Sequence, residues 1–190
     1  RGEIFLMSRH ELRRTQAPVS TGDIVIHTWP RSSRGVFFFR DYRVCDGWGL
    51  LLAECSTAWV LVEPATRRVV RPSLSAVVKP MHCDRSVSFG EPRRLALPDG
   101  LSPFRKLTVG RSLLDVNGHV NNAFYADFLL DCVSALRPGA RITGQAIAFS
   151  GEAVEGDELT LYASDGADCV YAAGKIGGRR CFEAAAFLAV

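Results

Sequence analysis

Only one stretch of this chain has the period of a helix, and that scarcity constrains the fold more than any other feature. Val120, Phe124, Phe128, Cys132 and Leu136 recur every fourth residue, and Tyr125, Leu129 and Val133 widen the same stripe. Asn121 and Asn122 stand at its start, with side-chain oxygens suited to accept bonds from the unpaired amides of a first turn. The pattern predicts one amphipathic helix over 121–136 that buries one broad face.

The rest reads as strand. Segments 23–29, 36–44, 50–62, 159–163, 169–173 and 181–190 are rich in β-branched, aromatic and aliphatic residues, and turn signals such as Cys45-Asp46-Gly47 and Ser164-Asp165-Gly166 divide them. Gly177-Gly178 reads as a hairpin turn rather than a phosphate loop, because no helix follows it. One helix among many strands predicts an α+β fold with a long curled antiparallel sheet.

An internal repeat points to two copies of one unit. Thr21-Gly22-Asp23-Ile24 opens a strand set in the first half, as Glu155-Gly156-Asp157-Glu158 does in the second, and Ala58-Trp59-Val60-Leu61-Val62 matches Ala186-Phe187-Leu188-Ala189-Val190 as a closing strand. Between them, residues 72–103 carry Pro80, Pro92, Pro98 and Gly100 and read as an ordered linker. The expected organisation is a first unit over 1–71, a linker over 72–103 and a second unit over 104–190. Few residues precede Asp23 and none shows a helix period, so the first copy is expected to lack its helix.

Composition narrows the partners. At 190 residues and 47% hydrophobic content the chain can bury a core, and a net charge of +3 is too small to argue for nucleic acid. No apolar run is long enough to span a bilayer, and Arg9, Arg13 and Arg14 follow an apolar run too short for a secretory signal. A cytoplasmic protein without membrane insertion is expected. Cys45, Cys55, Cys83, Cys132, Cys169 and Cys181 are scattered without metal-ligand spacing, which predicts reduced thiols, no metal and no cofactor. Trp29, Trp48 and Trp59 are expected to pack in strands or core, and His10, His27 and His82 to be ordinary strand or surface residues.

The chemistry concentrates just before the helix. Asp115-Val116-Asn117-Gly118-His119-Val120-Asn121-Asn122 brings an acid, an amide and an imidazole to a helix start, where donors can polarise a carbonyl or hold an oxyanion. The plainer alternative is that Asp115 and Asn117 only shape a turn.

This string, with the aromatic-rich helix after it, resembles the acyl-ACP thioesterases, hot-dog-fold enzymes that hydrolyse the thioester between a fatty acyl chain and acyl carrier protein. Thr28-Trp29, Arg40-Asp41-Tyr42, Ala58-Trp59-Val60 and Thr66-Arg67-Arg68 fall in the order of that family's first half, so the likeness runs over nearly the whole chain, from about residue 4 to 190. The resemblance implies a tandem hot-dog, each sheet wrapped around a central helix, with the first unit incomplete here. It implies a catalytic set of Asp115, Asn117, His119 and Glu152, the last within Phe149-Ser150-Gly151-Glu152-Ala153. Many plant-type members carry a cysteine after that glutamate; Ala153 stands here, so a cysteine nucleophile is unavailable at that position.

The implied mechanism is hydrolysis with Glu152 as base, Asn117 positioning water or carbonyl, His119 and amides near the helix start steadying the oxyanion, and Asp115 orienting His119 or Asn117. In the related 4-hydroxybenzoyl-CoA thioesterases the aspartate is nucleophile or base, so Asp115 and Glu152 stand open to exchange. The implied partner is acyl carrier protein bearing a phosphopantetheine-linked acyl chain. Arg13-Arg14, Arg67-Arg68 with Arg71, Arg93-Arg94 and Arg179-Arg180 read either as a basic patch for that partner or simply as solvated strand edges. An incomplete first unit leaves apolar surface that would favour a homodimer. The rival functions are an acyl-CoA thioesterase or hydratase of the same superfamily, and a non-catalytic acyl- or carrier-binding protein.

Overall fold

The computed structural model describes residues 2–15, 22–75 and 83–189. Thr21, Pro80, His82 and Val190, singled out above, lie outside the described residues. Two compact units divide the chain, Arg1–Arg93 and Arg94–Val190. The division falls inside the segment expected as a linker.

The second unit has β6 (Ser102–Thr108), α1 (Asn122–Leu136), β7 (Ile142–Phe149), β8 (Glu158–Asp165), β9 (Cys169–Ile176) and β10 (Arg179–Leu188). Its sheet order is β7-β10-β9-β8-β6, antiparallel throughout. Asn121 is the N-cap, its side chain accepting the Ala123 N–H, as the sequence suggested. The buried stripe of α1 centres on Tyr125, Phe128, Leu129, Cys132 and Val133, whereas Phe124 is half-buried and Leu136 exposed. The stripe is thus rotated slightly from the every-fourth-residue line, because an ideal helix drifts off a strict period of four. It packs on Leu159, Leu161, Val170, Ala172, Phe182 and Ala184 of the sheet. Gly174 leaves the space that the Phe182 ring occupies, since any Cβ there would strike that ring and Leu159. Gly177 and Gly178 do form the β9–β10 turn, both at positive φ.

The first unit has β1 (Ile4–Arg14), β2 (Ile24–Arg34), β3 (Phe37–Asp46), β4 (Leu51–Val62) and the short β5 (Val69–Val70). The order is β2-β3-β4-β1, with β5 pairing β4. Setting β1, β2, β3 and β4 beside β7, β8, β9 and β10 reproduces the same order and the same antiparallel pairings, so the repeat seen in the sequence is a repeat of topology. Among its described residues this unit contains no α-helix, only a single 3-10 turn at Pro72–Leu74.

Strand β1 was not expected. Its alternation is ionic rather than polar-outside: Arg9, Glu11 and Arg13 share one face, and Glu11 is only 1% exposed. Across the sheet that face continues through Ser56 and Glu54 on β4 and Asp41 and Arg43 on β3. Residues 83–93, expected as part of a linker, lie over it as a strap. Val87 N–H donates to Asp41, Ser88 N–H to Glu54 and Arg93 N–H to Glu11 (3.0, 2.9 and 2.9 Å). The Trp29 indole donates to the Arg85 carbonyl, with the Arg85 guanidinium 4.0 Å above its ring. Three buried carboxylates therefore satisfy three strap amides that have no strand to pair with.

The other face of this sheet corresponds to the one that α1 covers in the second unit. On β10 the α1-facing parity directs its peptide groups toward β9, as the Leu188 N–H to Asp168 C=O bond shows. On β4 the parity directed to the β3 and β5 side is that of Glu63, whose N–H reaches the Arg68 carbonyl. For L-residues peptide direction fixes the side-chain face. The equivalent face is thus Cys55, Thr57, Trp59 and Leu61, on which Thr57 and Leu61 are buried.

Two further expectations are corrected. Trp48 does not pack; it is 96% exposed on the β3–β4 turn, where the Asp46 carboxylate accepts the Trp48 and Leu50 amides. Strand β6, an edge strand bearing Pro103, Arg105 and Lys106, was not foreseen, and the strand expected after the helix, β7, ends at Phe149, so that Glu152 lies on the loop beyond it.

Candidate active site

The residues before α1 form a tight antiparallel loop. Leu114 bridges Val120, Asp115 N–H donates to the His119 carbonyl, and Gly118 turns the chain at a φ of 76° that favours glycine. A second bridge, His119 to Val154, and the Val120 N–H to Ala153 C=O bond tie this loop to residues 152–155. The 3-10 turn Arg111–Leu113 is held to the same assembly by the Asn121 N–H to Leu113 C=O bond. Residues distant in sequence, near 115 and near 152, are thereby fixed side by side.

Asp115 is the organiser of the loop. One carboxylate oxygen accepts the Asn117 and His119 backbone N–H groups (2.8 and 3.3 Å), and the other accepts the Asn117 side-chain amide (3.2 Å). Desolvation pushes its pKa up, but these bonds and the nearby His119 charge outweigh it and hold the carboxyl below its ordinary value. Of the two residues that Asp115 was expected to orient, it binds the side chain of Asn117 and only the backbone of His119.

The carboxylate beside the imidazole is Glu152. His119 Nε2 lies 3.7 Å from Glu152 Oε2, and the two side chains are 36% and 33% exposed, so solvent reaches both. Arg179 donates to the Glu152 carbonyl at 3.4 Å, and Gly151 leaves room for that guanidinium. Tyr125, buried against Phe149 and Phe182, has its phenol pushed up to about 12 by burial and then by the charges of Cys181, Glu152 and Asp157, so it stays neutral.

All four expected residues thus meet on one local scaffold of the second unit. Ala153, where a cysteine was sought, is fully buried. Cys132 is buried within α1, and burial, then Asp131, push its thiol up to about 11, which leaves no thiolate to act as a nucleophile. Sequence reasoning missed a cleft of ≈ 510 Å³ against Asp115, lined by Arg111, Leu114, Val116, Gly118, Val154 and Glu155. The available signal was Val116, an apolar residue at a polar loop tip. Among the described residues no group of His, Cys, Asp and Glu side chains is arranged to hold a metal ion, and no helix is long and apolar enough to cross a membrane.

An antiparallel sheet laid on a single central helix, with the polar residues at the helix start, defines a hot-dog protein. The sequence profile of the acyl-ACP thioesterase N-terminal domain matches residues 3–76, and that of the C-terminal domain matches residues 99–168. Together they cover most of the chain, which belongs to the acyl-ACP thioesterase family, hydrolases of the fatty acyl-ACP thioester. No curated protein matches it in sequence. Among solved structures it is similar to an acyl-ACP thioesterase from Bacteroides thetaiotaomicron (TM-score 0.85, 23% identity, covering 98% of this chain and 77% of that one). It is also similar to the 12:0-ACP thioesterase from Umbellularia californica (0.80, 18%, 98% and 75%) and, more distantly, to a MaoC-like dehydratase from Phytophthora capsici (0.61, 13%, 97% and 72%). At these identities the structural likeness speaks for the fold, and the family rests on the profiles.

Proposed function

We propose that this thioesterase releases free fatty acid from acyl-ACP in fatty acid biosynthesis, in the cytoplasm, with Glu152 as general base. The observation that carries the assignment is the separation of the two carboxylates. Asp115 has its oxygens engaged by three N–H groups of its own loop, whereas Glu152 stands beside the His119 imidazole and is reached by solvent. A base must be within reach of the attacking water, and the Glu152 side chain is reached by solvent.

In this reading Glu152 accepts a proton as water attacks the thioester carbon, and the C–S bond breaks as the tetrahedral intermediate collapses. The leaving thiolate takes that proton back. Asn117, its amide held by Asp115, positions the water or the carbonyl. His119, carried by the two bridges, steadies the oxyanion together with amides near the start of α1. The domain organisation proposed with it is a first hot-dog unit and a second unit bearing the catalytic motif. Edge strand β2 exposes Ile24, Val25 and Ile26 (49%, 41% and 61%), which supports a homodimer in solution.

The deciding experiment offers a panel of acyl-ACP and acyl-CoA substrates and measures free thiol release. Turnover of acyl-ACP is expected. Turnover confined to acyl-CoA transfers the assignment to the acyl-CoA thioesterases, and none at all to a binding protein.

A further inference from the structure

The hydrolytic step leaves one polar group near the site unused, the phenol of Tyr125. This residue stands in the first turn of α1 and is 2% exposed, its ring wedged against Phe128, Phe149 and Phe182 at centroid distances of 5.9, 5.5 and 4.9 Å. Phe149 ends β7 and Phe182 lies on β10. The Ser150 and Gly151 N–H groups both donate to the Cys181 carbonyl (2.8 and 3.0 Å), which fixes the segment leading to Glu152 onto β10. The ring and the proposed base are therefore held by the same strands.

A buried phenol ordinarily has a hydrogen-bond partner. Among the described residues none bonds the Tyr125 hydroxyl, and burial, followed by the charges of Cys181, Glu152 and Asp157, keeps it neutral. Ser164 Oγ is the single described side-chain oxygen or nitrogen that is both closed to solvent and unpaired. The tip of Tyr125, equally unpaired, is thus not closed to solvent. Its charged neighbours are turned elsewhere: the Asp157 carboxylate accepts the Val154 N–H (2.9 Å), and the Cys181 thiol points to the Arg179 carbonyl (3.8 Å). Glu152 is close enough for its charge to act on the phenol, with no direct bond between the two. Polar groups coupled across such a gap are bridged by water.

We infer that the Tyr125 hydroxyl is a further catalytic residue, accepting one O–H of the attacking water while Glu152 accepts the other. The inference rests on the general-base reading. Two acceptors fix the orientation of the water and leave an oxygen lone pair for the thioester carbon, and the packed ring supplies that order before substrate arrives. As the C–O bond forms and the C–S bond breaks, the proton passes from water to Glu152 and on to the leaving thiolate. The phenol keeps its own proton throughout.

The test is a double-mutant cycle on the full chain, with acyl-ACP as substrate and thiol release as the readout. Tyr125→Phe removes the hydroxyl and keeps the three ring contacts, so the melting temperature should hold or rise slightly. Its kcat should fall by roughly 10–100-fold with KM nearly unchanged, the scale of losing one group that positions a reactant. In the Glu152→Gln background the same substitution should cost less than roughly twofold, because two groups that hold one water act as a unit. Losses that multiply in the double variant would place the hydroxyl on the carbonyl oxygen and overturn the shared water. Parental kcat in Tyr125→Phe, or a loss of rate that only follows a lowered melting temperature, overturns the catalytic role, and a slow Glu152→Gln beside it leaves the general base standing. Full activity in Glu152→Gln overturns the general-base reading instead, and the shared water with it.

Discussion

At the scale of single residues, the proposed mechanism gives the two carboxylates different work because their surroundings differ. Glu152→Gln should cut kcat by roughly 10²-fold or more, the loss usual for a general base, while the melting temperature stays close to that of the parent. Asn117→Ala and His119→Ala should each cost roughly 10²–10³ in rate as positioning and oxyanion donors go. Asp115→Asn keeps its size but loses acceptor capacity for three N–H groups, so it should lower both rate and stability. Steady-state thiol release and thermal denaturation measured on the four variants distinguish these outcomes. Full activity in Glu152→Gln with none in Asp115→Asn would exchange the two roles. Ala153→Cys should rescue none of them, because position 153 is fully buried and offers a thiol no activating partner.

At the scale of elements, the strap over residues 83–93 is the least ordinary feature. Burial pushes the pKa of Glu11 up, but the Arg93 and Arg13 hydrogen bonds and charges prevail and hold it below the usual glutamate range. The same holds for Glu54 under its bonds from Ser88 and Arg43. Carboxyls depressed in the folded state stabilise it above their unfolded pKa, and that contribution is lost as pH falls through the folded value. The acid limb of stability should therefore begin near the unfolded glutamate pKa of about 4.3 and steepen below it. His10, lowered to about 4 by burial against the opposing charge of Glu11, adds an earlier loss as pH falls below its unfolded value of about 6.5. Denaturant titrations from pH 7 to pH 3 should show both phases. Glu11→Gln and Glu54→Gln should each cost about 1–3 kcal/mol at pH 7, because each weakens charge-assisted bonds from partly exposed arginines and a strap amide, and should flatten the lower phase. An acid limb unchanged by both substitutions would mean that the strap is held by other contacts. In the second unit, Gly174→Ala should destabilise by about 1–3 kcal/mol, since the added methyl group meets the Phe182 ring within a closed core.

At the scale of the whole molecule, the β2 edge predicts self-association. Light scattering should give a dimer, and Ile26→Lys, which places a charge on the exposed edge, should give a monomer without loss of fold. A parent protein already monodisperse as a monomer counts against the dimer. The sequence alone carried the helix and its cap, the repeat of one topology and the polar string proposed here as catalytic, because periodicity, capping and loop chemistry are local and are written in neighbouring residues. Glu152 was readable only through the family's pattern, since nothing near it in the chain marks a base. What the tertiary structure decided was every pairing across distance. It put Glu152 rather than Asp115 beside the imidazole, turned Asp115 toward Asn117, and brought Arg111 and Glu155 to one cleft. It also made a strand of residues 4–14, whose charged alternation reads as surface until Asp41, Glu54 and the amides of residues 83–93 come to meet it. A buried charge is stable only with its partners in place, and those partners lie up to 82 positions away in the chain.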